Sequence, residues 1–205
     1  MIKTGNRKST RLKGYDYSGE GAYFVTVCTH DRMCLFGDVV DGKMRLNDAG
    51  LMINNVWNEI PKWYPGVDID EYAVMPNHFH GIVILKNYDV GAPPCGRPEP
   101  RDTIMIHGQA RGPAPTTVKR LTLSDVIHRF KSLTTNKYIH GVKQFQWKPF
   151  HRALWQRTFH DRIIRNETEL HTIREYIMNN PLQWEYDENN PNKMNQNTNN
   201  ENAIS

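Results

Sequence analysis

The sequence predicts a mixed α+β fold, in which strand-like segments alternate with helical ones. Residues 22–30, AYFVTVCTH, are rich in the β-branched and aromatic residues that favour strands, and residues 75–83, MPNHFHGIV, contain a second such run. Residues 167–180, ETELHTIREYIMNN, instead repeat apolar residues at helical spacing. The 205 residues are enough for one sizeable core, so a single domain is expected.

A hairpin and a helix are predicted after the first strand. The segment GDVVDGKMRL, residues 37–46, places Asp41-Gly42 between two strand-like stretches, and this dipeptide tolerates the positive φ angles of a tight turn. Asn47 then predicts the N-cap of a helix that runs to about Tyr64 and ends at Pro65-Gly66. The apolar residues at roughly helical spacing are Leu51, Val56, Ile60 and Trp63.

Two more strands, VDIDEYAVM (67–75) and HFHGIVIL (78–85), are predicted to meet at a Pro76-Asn77 turn. Residues 87–118 then change in character, because they hold six of the chain's twelve prolines and few large apolar residues. Such a stretch cannot bury enough surface to order itself, so we interpret it as a flexible insertion within the domain. A functional loop that closes over a site is the alternative.

The next helix is predicted to begin near Thr122 or Ser124, either of which can cap it. Its apolar stripe leaves Arg129 and Lys131 off the buried face, where they are available to phosphates. The stripe consists of Val126, Ile127, Phe130 and Leu133.

The last predicted helix spans 167–180, and it ends at Asn180 because the residue before a proline is pushed out of the helical region. Tyr176 and Asn180 are spaced i, i+4 and therefore share one side of this helix. A tyrosine at the edge of an apolar stripe also suits a core residue with a hydrated hydroxyl, so the spacing alone leaves its role open. The stripe consists of Leu170, Ile173 and Ile177.

Composition limits the class of protein. The apolar run that follows the histidines, GIVIL, is far too short to cross a membrane, so a cytoplasmic protein is expected. The domain is expected to comprise residues 1–187, and the Asn-rich residues 188–205 are expected to be a disordered polar tail. The cysteines are odd in number and lack paired ligand spacing, so neither a disulfide framework nor a zinc site is indicated. They are Cys28, Cys34 and Cys95.

Basic residues are clustered although the net charge is only +4. From Lys119 to Arg165 eleven Lys or Arg residues oppose two acids, with aromatic residues interleaved, and residues 1–13 contain five cations and no acid. Cations interleaved with aromatics suit a nucleic-acid strand, but they also suit a solvated basic surface over an aromatic core. Composition does not choose between these two interpretations.

The segment HFH, residues 78–80, places two histidines one residue apart within an otherwise apolar run. Residues i and i+2 of a strand point to the same face of the sheet, so His78 and His80 are expected to project together. Two imidazoles on one face can share a divalent metal, which would offset the cost of placing them among apolar residues. A pair of half-exposed histidines at the start of a strand is the other interpretation that the spacing allows.

Several segments together resemble a known family, the HUH single-tyrosine transposases, and within it the REP-associated tyrosine transposase (RAYT) branch. The resemblance implies a ferredoxin-like sandwich, with an antiparallel sheet, helices on one face, the HUH motif on a central strand and the tyrosine on a C-terminal helix. It also implies a transposase that acts in the cytoplasm on nucleoid DNA. The segments that carry it, in order, are RLKGYDYS, YFVTVCTHDR, YAVMPNHFHGIV, FKSLTTNKY, LWQRTFHDRIIRNETEL and IREYIMNNPLQW.

The resemblance also implies roles for residues. Tyr176 would attack single-stranded DNA beside a hairpin, either a REP-like element or a transposon end, and form a 5′-phosphotyrosine. His78, His80 and, as a third ligand, Asn180 would hold Mg²⁺ or Mn²⁺; many insertion-sequence relatives have Gln in place of this Asn. Some relatives are dimers that exchange the tyrosine helix and others are monomers, so a homodimer is a possible state. The cations expected to contact the DNA backbone are Arg129, Lys131, Arg157 and Arg162.

Two other functions remain open on the sequence. One is a regulator that binds DNA hairpins without cutting them. The other is a metal-dependent phosphodiesterase, in which the metal would activate water and Tyr176 would only pack.

Overall fold

The computed structural model describes residues 19–86 and 121–193. The basic residues 1–13, the predicted insertion at 87–118 with Cys95, and residues 194–205 of the predicted tail lie outside the described residues. Within the described part of the chain, no helix is long and apolar enough to span a membrane.

The elements are β1 Gly21–Cys28, β2 Gly37–Val40, β3 Lys43–Leu46, α1 Asp48–Trp63, β4 Val67–Val74, β5 His78–Leu85, α2 Leu123–Phe145, β6 His160–Ile164 and α3 Glu167–Asn179. A four-stranded antiparallel sheet forms the centre of the fold, in the order β4-β5-β1-β6, and a separate hairpin pairs β2 with β3. Without that hairpin, the elements follow the βαββαβ order of ferredoxin-like folds. Strand β5, which carries both histidines, is central, so the predicted fold class is confirmed.

The two faces of the sheet are covered by different helices. Tyr23 and Val25 of β1 and Phe79 of β5 belong to the main core with α1 and α2, whereas Ile82 of β5 packs with Ile177 of α3 in a second apolar cluster. Helices α1 and α2 therefore share one face of the sheet, and the tyrosine helix α3 covers the other. Both alternating sets of side chains on β1 and β5 are largely apolar, and each set needs its own cover.

Local signals predicted the ends of the elements well. Asp41 and Gly42 form the hairpin turn with φ angles of 52° and 69°. The Oδ1 of Asn47 caps α1 by accepting from the backbone N–H of Gly50 at 2.9 Å, and Thr122 caps α2 in a reciprocal pair with Asp125. Helix α2 extends from Leu123 to Phe145.

The buried face of α1 differs from the predicted stripe. Leu51 and Trp63 are 48% and 41% exposed, whereas Ile53 and Trp57 are fully buried. The centroid of the Trp57 ring lies 4.5 Å from that of Phe79, so this bulky side chain packs against the sheet and thereby sets the rotation of the helix. Val56 and Ile60 are buried as predicted.

Candidate active site

The two histidines lie at the first and third positions of β5, on the face that α3 covers. Both side chains are buried, and their Nε2 atoms are 3.0 Å apart. The half-exposed pair that the spacing also allowed is therefore excluded. The rings converge through the nitrogens that are able to ligate a cation.

Asn77 orients the first imidazole. Its Nδ2 donates to the carbonyl oxygens of Arg32 and Asn189, at 3.0 and 2.7 Å, so its Oδ1 is free to accept. That oxygen lies 2.9 Å from Nδ1 of His78, which must therefore carry the proton. His78 consequently presents an unprotonated Nε2 to the site. The Nδ1 of His80 hydrogen bonds with Oγ1 of Thr26 at 2.8 Å, across from it on β1.

Burial keeps both imidazoles neutral. It lowers the pKa of His78 to about 4, against a smaller opposing effect of the Asp187 carboxylate. It also lowers the pKa of His80 well below its usual value, and the neighbouring His78 acts in the same direction. The Nε2 atoms of the two neutral rings are 3.0 Å apart, and two lone pairs that face each other at this distance repel. The pair therefore suits a proton or a cation shared between the two nitrogens.

Asp187 joins the histidines, although the sequence predicted no role for it. It follows the 3₁₀ helix Pro181–Tyr186, and its Oδ2 lies 4.0 Å from Nε2 of His78. One ligand atom from each of these three residues lies within 4.8 Å of the other two. The sequence holds no fixed spacing that points to Asp187, and the only available clue was a carboxylate soon after the tyrosine helix.

Asn180 offers a fourth candidate donor atom beside the two histidines and Asp187. The residue is buried, its Nδ2 donates to Oδ2 of Asp187 at 3.3 Å, and its Oδ1 has no hydrogen-bond partner among the described residues. An unsatisfied buried carbonyl costs about 1–3 kcal/mol, which a bound cation would offset. Two imidazole nitrogens, one amide oxygen and one carboxylate oxygen form a donor set that fits Mn²⁺ or Mg²⁺.

Tyr176 borders this cluster. Its ring centroid is 5.4 Å from that of His80 and 5.9 Å from that of Phe24, in edge-to-face contacts. The residue is 42% exposed, so it is not a core side chain. Burial of part of the phenol raises its pKa, and Asp187 raises it further. The tyrosine and the candidate metal ligands are thus neighbours.

The first residues of the predicted tail also contact the site. Asn189 accepts from Asn77 through its carbonyl, and Arg32 donates to the carbonyl of Glu188. The side chain of Asn190 donates to the carbonyl of Trp184, whose ring lies 6.0 Å from that of His78. Residues 188–193 therefore have a defined position, in contrast to the predicted disorder, because their polar groups are paired in a way that composition does not reveal.

The four cations predicted to contact DNA have different surroundings. Arg129 lies over the ring of Tyr64 at 4.6 Å. Lys131 donates to the carbonyls of Gln156 and Arg157 at 2.6 and 3.1 Å, and burial lowers its pKa. Arg162, on the same sheet face as Phe24, pairs with a glutamate of α3 at 2.6 Å. The side chain of Arg157 is exposed and has no ion pair or hydrogen bond with the other described residues.

Comparisons with known proteins agree with this architecture. No family model matches the chain. The chain is similar to a solved structure of a REP-associated tyrosine transposase bound to a REP hairpin, at a TM-score of 0.50 and 17% identity, over 84% of this chain and 74% of that one. The fold and the buried histidine pair define a protein of the tyrosine-transposase fold, which confirms the predicted resemblance.

The chain also matches an uncharacterized protein of Haemophilus influenzae (strain ATCC 51907 / DSM 11121 / KW20 / Rd). The two are 35% identical over 183 residues, which is 89% of this chain and 92% of that protein. The chain belongs to the same family as that protein.

Proposed function

We propose that the protein is a metal-dependent transesterase, a transposase-like nuclease that cuts and rejoins single-stranded DNA beside a hairpin. The observation that carries the proposal is the position of Tyr176, whose ring centroid lies 5.4 Å from that of His80. The Nε2 of His80 in turn lies 3.0 Å from the Nε2 of His78. A phenol beside a candidate cation site can share one phosphate with it. The REP hairpin bound by the similar structure supports hairpin DNA as the substrate.

Four residues would hold the cation. They are His78 and His80 through Nε2, Asp187 through a carboxylate oxygen, and Asn180 through the Oδ1 that has no other described partner. A divalent cation bound there would stabilise the charge that develops on a non-bridging phosphate oxygen and would offset the effect of Asp187 on the phenol. Mn²⁺ suits the imidazoles and Mg²⁺ the oxygens.

Other residues keep these ligands ready. Asn77 fixes the tautomer of His78, and Thr26 holds the ring of His80. Burial keeps both imidazoles neutral at pH 7, so a cation would displace no proton from their ligand nitrogens except one that the two rings share. The guanidinium of Arg174 on α3 binds Asp70 of β4 at 2.8 and 2.6 Å and so ties the tyrosine helix to the sheet.

The reaction is a balanced exchange of phosphate esters. The Oη of Tyr176 forms a bond to phosphorus, the bond from phosphorus to the 3′ oxygen breaks, and a 5′-phosphotyrosine remains. The phenol releases its proton to solvent, and the departing 3′ oxygen takes one up. A free phenol titrates near pH 10, and the environment of Tyr176 raises its pKa, so activation by the site is needed. Because the ester is retained, a second 3′-hydroxyl can reverse the step.

A trapping experiment tests the proposal. We expect the full chain, incubated with Mn²⁺ and a single-stranded oligonucleotide that carries a hairpin, to yield a protein–DNA adduct that resists denaturation. Tyr176→Phe should abolish the adduct. Tyr186→Phe is the matched control, since this second exposed tyrosine lies past the end of α3, and it should retain the adduct.

The outcomes separate the three functions. Cleavage that leaves no protein–DNA adduct and that persists in Tyr176→Phe would indicate a phosphodiesterase that uses water. Hairpin binding without cleavage, in the presence of either cation, would indicate a regulator.

A further inference from the structure

A groove of about 670 Å³ lies between α2 and the segment 150–157, away from the histidine face of the sheet. This segment connects α2 to β6 and runs beside the end of β1. The volume is in the range of known ligand pockets. Among its lining residues are Asn136 and Ile139 from α2, and Phe150, Arg152 and Arg157 from the segment.

Cations line the groove. They are Arg152, Arg157 and Lys131, and none of the described residues in the lining carries a carboxylate. His30 also lines the groove, with its Nδ1 2.9 Å from the carboxylate of Asp31, which lies outside the lining. Neither guanidinium has an ion pair or hydrogen bond with another described residue. Unpaired guanidinium groups along a groove attract a polyanion such as a nucleic-acid strand.

Apolar side chains share the groove with these cations. Ile139 is 36% exposed, and Phe150 is partly buried with its ring 5.6 Å from that of Tyr138. A ring held in this way offers a surface against which a base can stack, whereas Trp155 is too deeply buried to do so. Arginines with an accessible aromatic ring match the chemistry of an unpaired strand rather than that of a duplex.

The groove is connected to the candidate active site through the backbone. The N–H of Gln156 donates to the carbonyl of Cys28 at 2.9 Å, and Cys28 is the cross-strand partner of His78. Lys131 holds two carbonyls of the same segment. Arg152 has a φ of 63°, which non-glycine residues rarely adopt, so the turn that presents its side chain is imposed by its surroundings.

We infer that this groove binds the single-stranded flank of the DNA substrate. Arg152 and Arg157 contact its phosphates, and Phe150 with Ile139 contacts a base. The choice of a flanked hairpin as ligand rests on the proposed function. The residues themselves lie outside the cluster of Tyr176 and the candidate metal ligands.

The test compares two double variants that each remove two positive charges. Arg152→Ala with Arg157→Ala removes the groove cations, and Lys62→Ala with Lys137→Ala removes two exposed cations that do not line the groove. Affinity is measured by fluorescence anisotropy with EDTA over a range of salt concentrations. The probes are a hairpin with a single-stranded flank and the same hairpin without one.

With the flanked probe, the groove variant should lower the slope of log affinity against log salt by about 0.7 for each of the two lost phosphate contacts. The control variant should keep the wild-type slope, and the bare hairpin should bind both variants equally. An equal loss for the two variants, or the same loss on the bare hairpin, would overturn the inference. Asn136→Lys adds a cation to the groove and should tighten binding of the flanked probe alone; unchanged affinity would count against the groove.

The two proposals can fail separately. A groove variant with weaker flank binding, in a protein whose wild type forms no tyrosine adduct, would support the groove and reject the transesterase. If the wild type forms the adduct and the groove variant binds the flank as tightly as the wild type, the transesterase is supported and the groove is rejected.

Discussion

Asn77→Ala tests whether the candidate metal site depends on the orientation of His78. Asn77 is fully buried, and its removal leaves three groups unpaired: the carbonyls of Arg32 and Asn189 and the Nδ1–H of His78. At roughly 1 kcal/mol for each unpaired group, the variant should lose about 3 kcal/mol of folding free energy. For a chain of this size the melting temperature should fall by about 6–12 °C.

The same change should weaken cation binding. Replacing a residue that orients a metal-ligating histidine typically lowers metal affinity by about 10–100-fold, or roughly 1.4–2.7 kcal/mol of binding free energy. Mn²⁺ affinity is measured by calorimetry on the folded variant and compared with that of Asn58→Ala, an exposed asparagine on α1. Chelation with EDTA supplies the baseline.

Asn77→Asp separates the two roles of this residue. An aspartate still accepts from His78 but cannot donate to the two carbonyls, so most of the stability loss should remain while much of the Mn²⁺ affinity returns. The reasoning is refuted if folded Asn77→Ala binds Mn²⁺ as tightly as the wild type.

Two further predictions concern the charged and titratable groups of the site. Asp187→Asn should weaken Mn²⁺ binding, measured by calorimetry, and lower the pKa of Tyr176, measured by ultraviolet absorbance titration. The control Asp38→Asn, on the hairpin, should change neither quantity. Unaltered Mn²⁺ binding in Asp187→Asn would remove this carboxylate from the ligand set. Because the pKa of His78 is lowered to about 4 in the folded chain, the unfolded chain binds more protons between about pH 6.5 and pH 4. Stability in EDTA should therefore be fully present above pH 6.5 and fall as the pH drops through this window, as measured by urea unfolding. His171→Gln, at an exposed position, should keep this dependence and His78→Gln should reduce it; a flat wild-type profile would contradict the buried neutral state.

Features set by neighbouring residues could be predicted from the sequence. Asn47, Thr122 and Asp41-Gly42 act through hydrogen bonds or backbone angles within a few residues, and each does so in the structure. Helix α3 ends next to Asn180 as predicted, but the predicted reason is wrong: Asn180 keeps helical backbone angles, with φ −58° and ψ −40°, and the chain continues directly into the 3₁₀ helix Pro181–Tyr186. The rotation of α1 could not be predicted in this way, because it depends on where Trp57 meets Phe79 across the core.

The surroundings of charged side chains also depended on distant residues. Lys131 lies off the buried stripe of α2, as the periodicity indicated, yet its ammonium is held by carbonyls of a later segment. Arg162 likewise pairs with a residue of α3. A pattern along one helix or strand indicates which face a cation occupies, but it does not indicate which partner occupies the space beside it.

By itself the sequence determined that His78 and His80 share a face of one strand and that Tyr176 and Asn180 share a side of one helix, because those relations follow from the repeat of each element. Only the tertiary structure decided that the two pairs meet and that Asp187 completes the cluster. The reason is that α3 is positioned by burial of Ile173 and Ile177 against Ile82, and such apolar contacts between distant segments have no periodic signature in the chain.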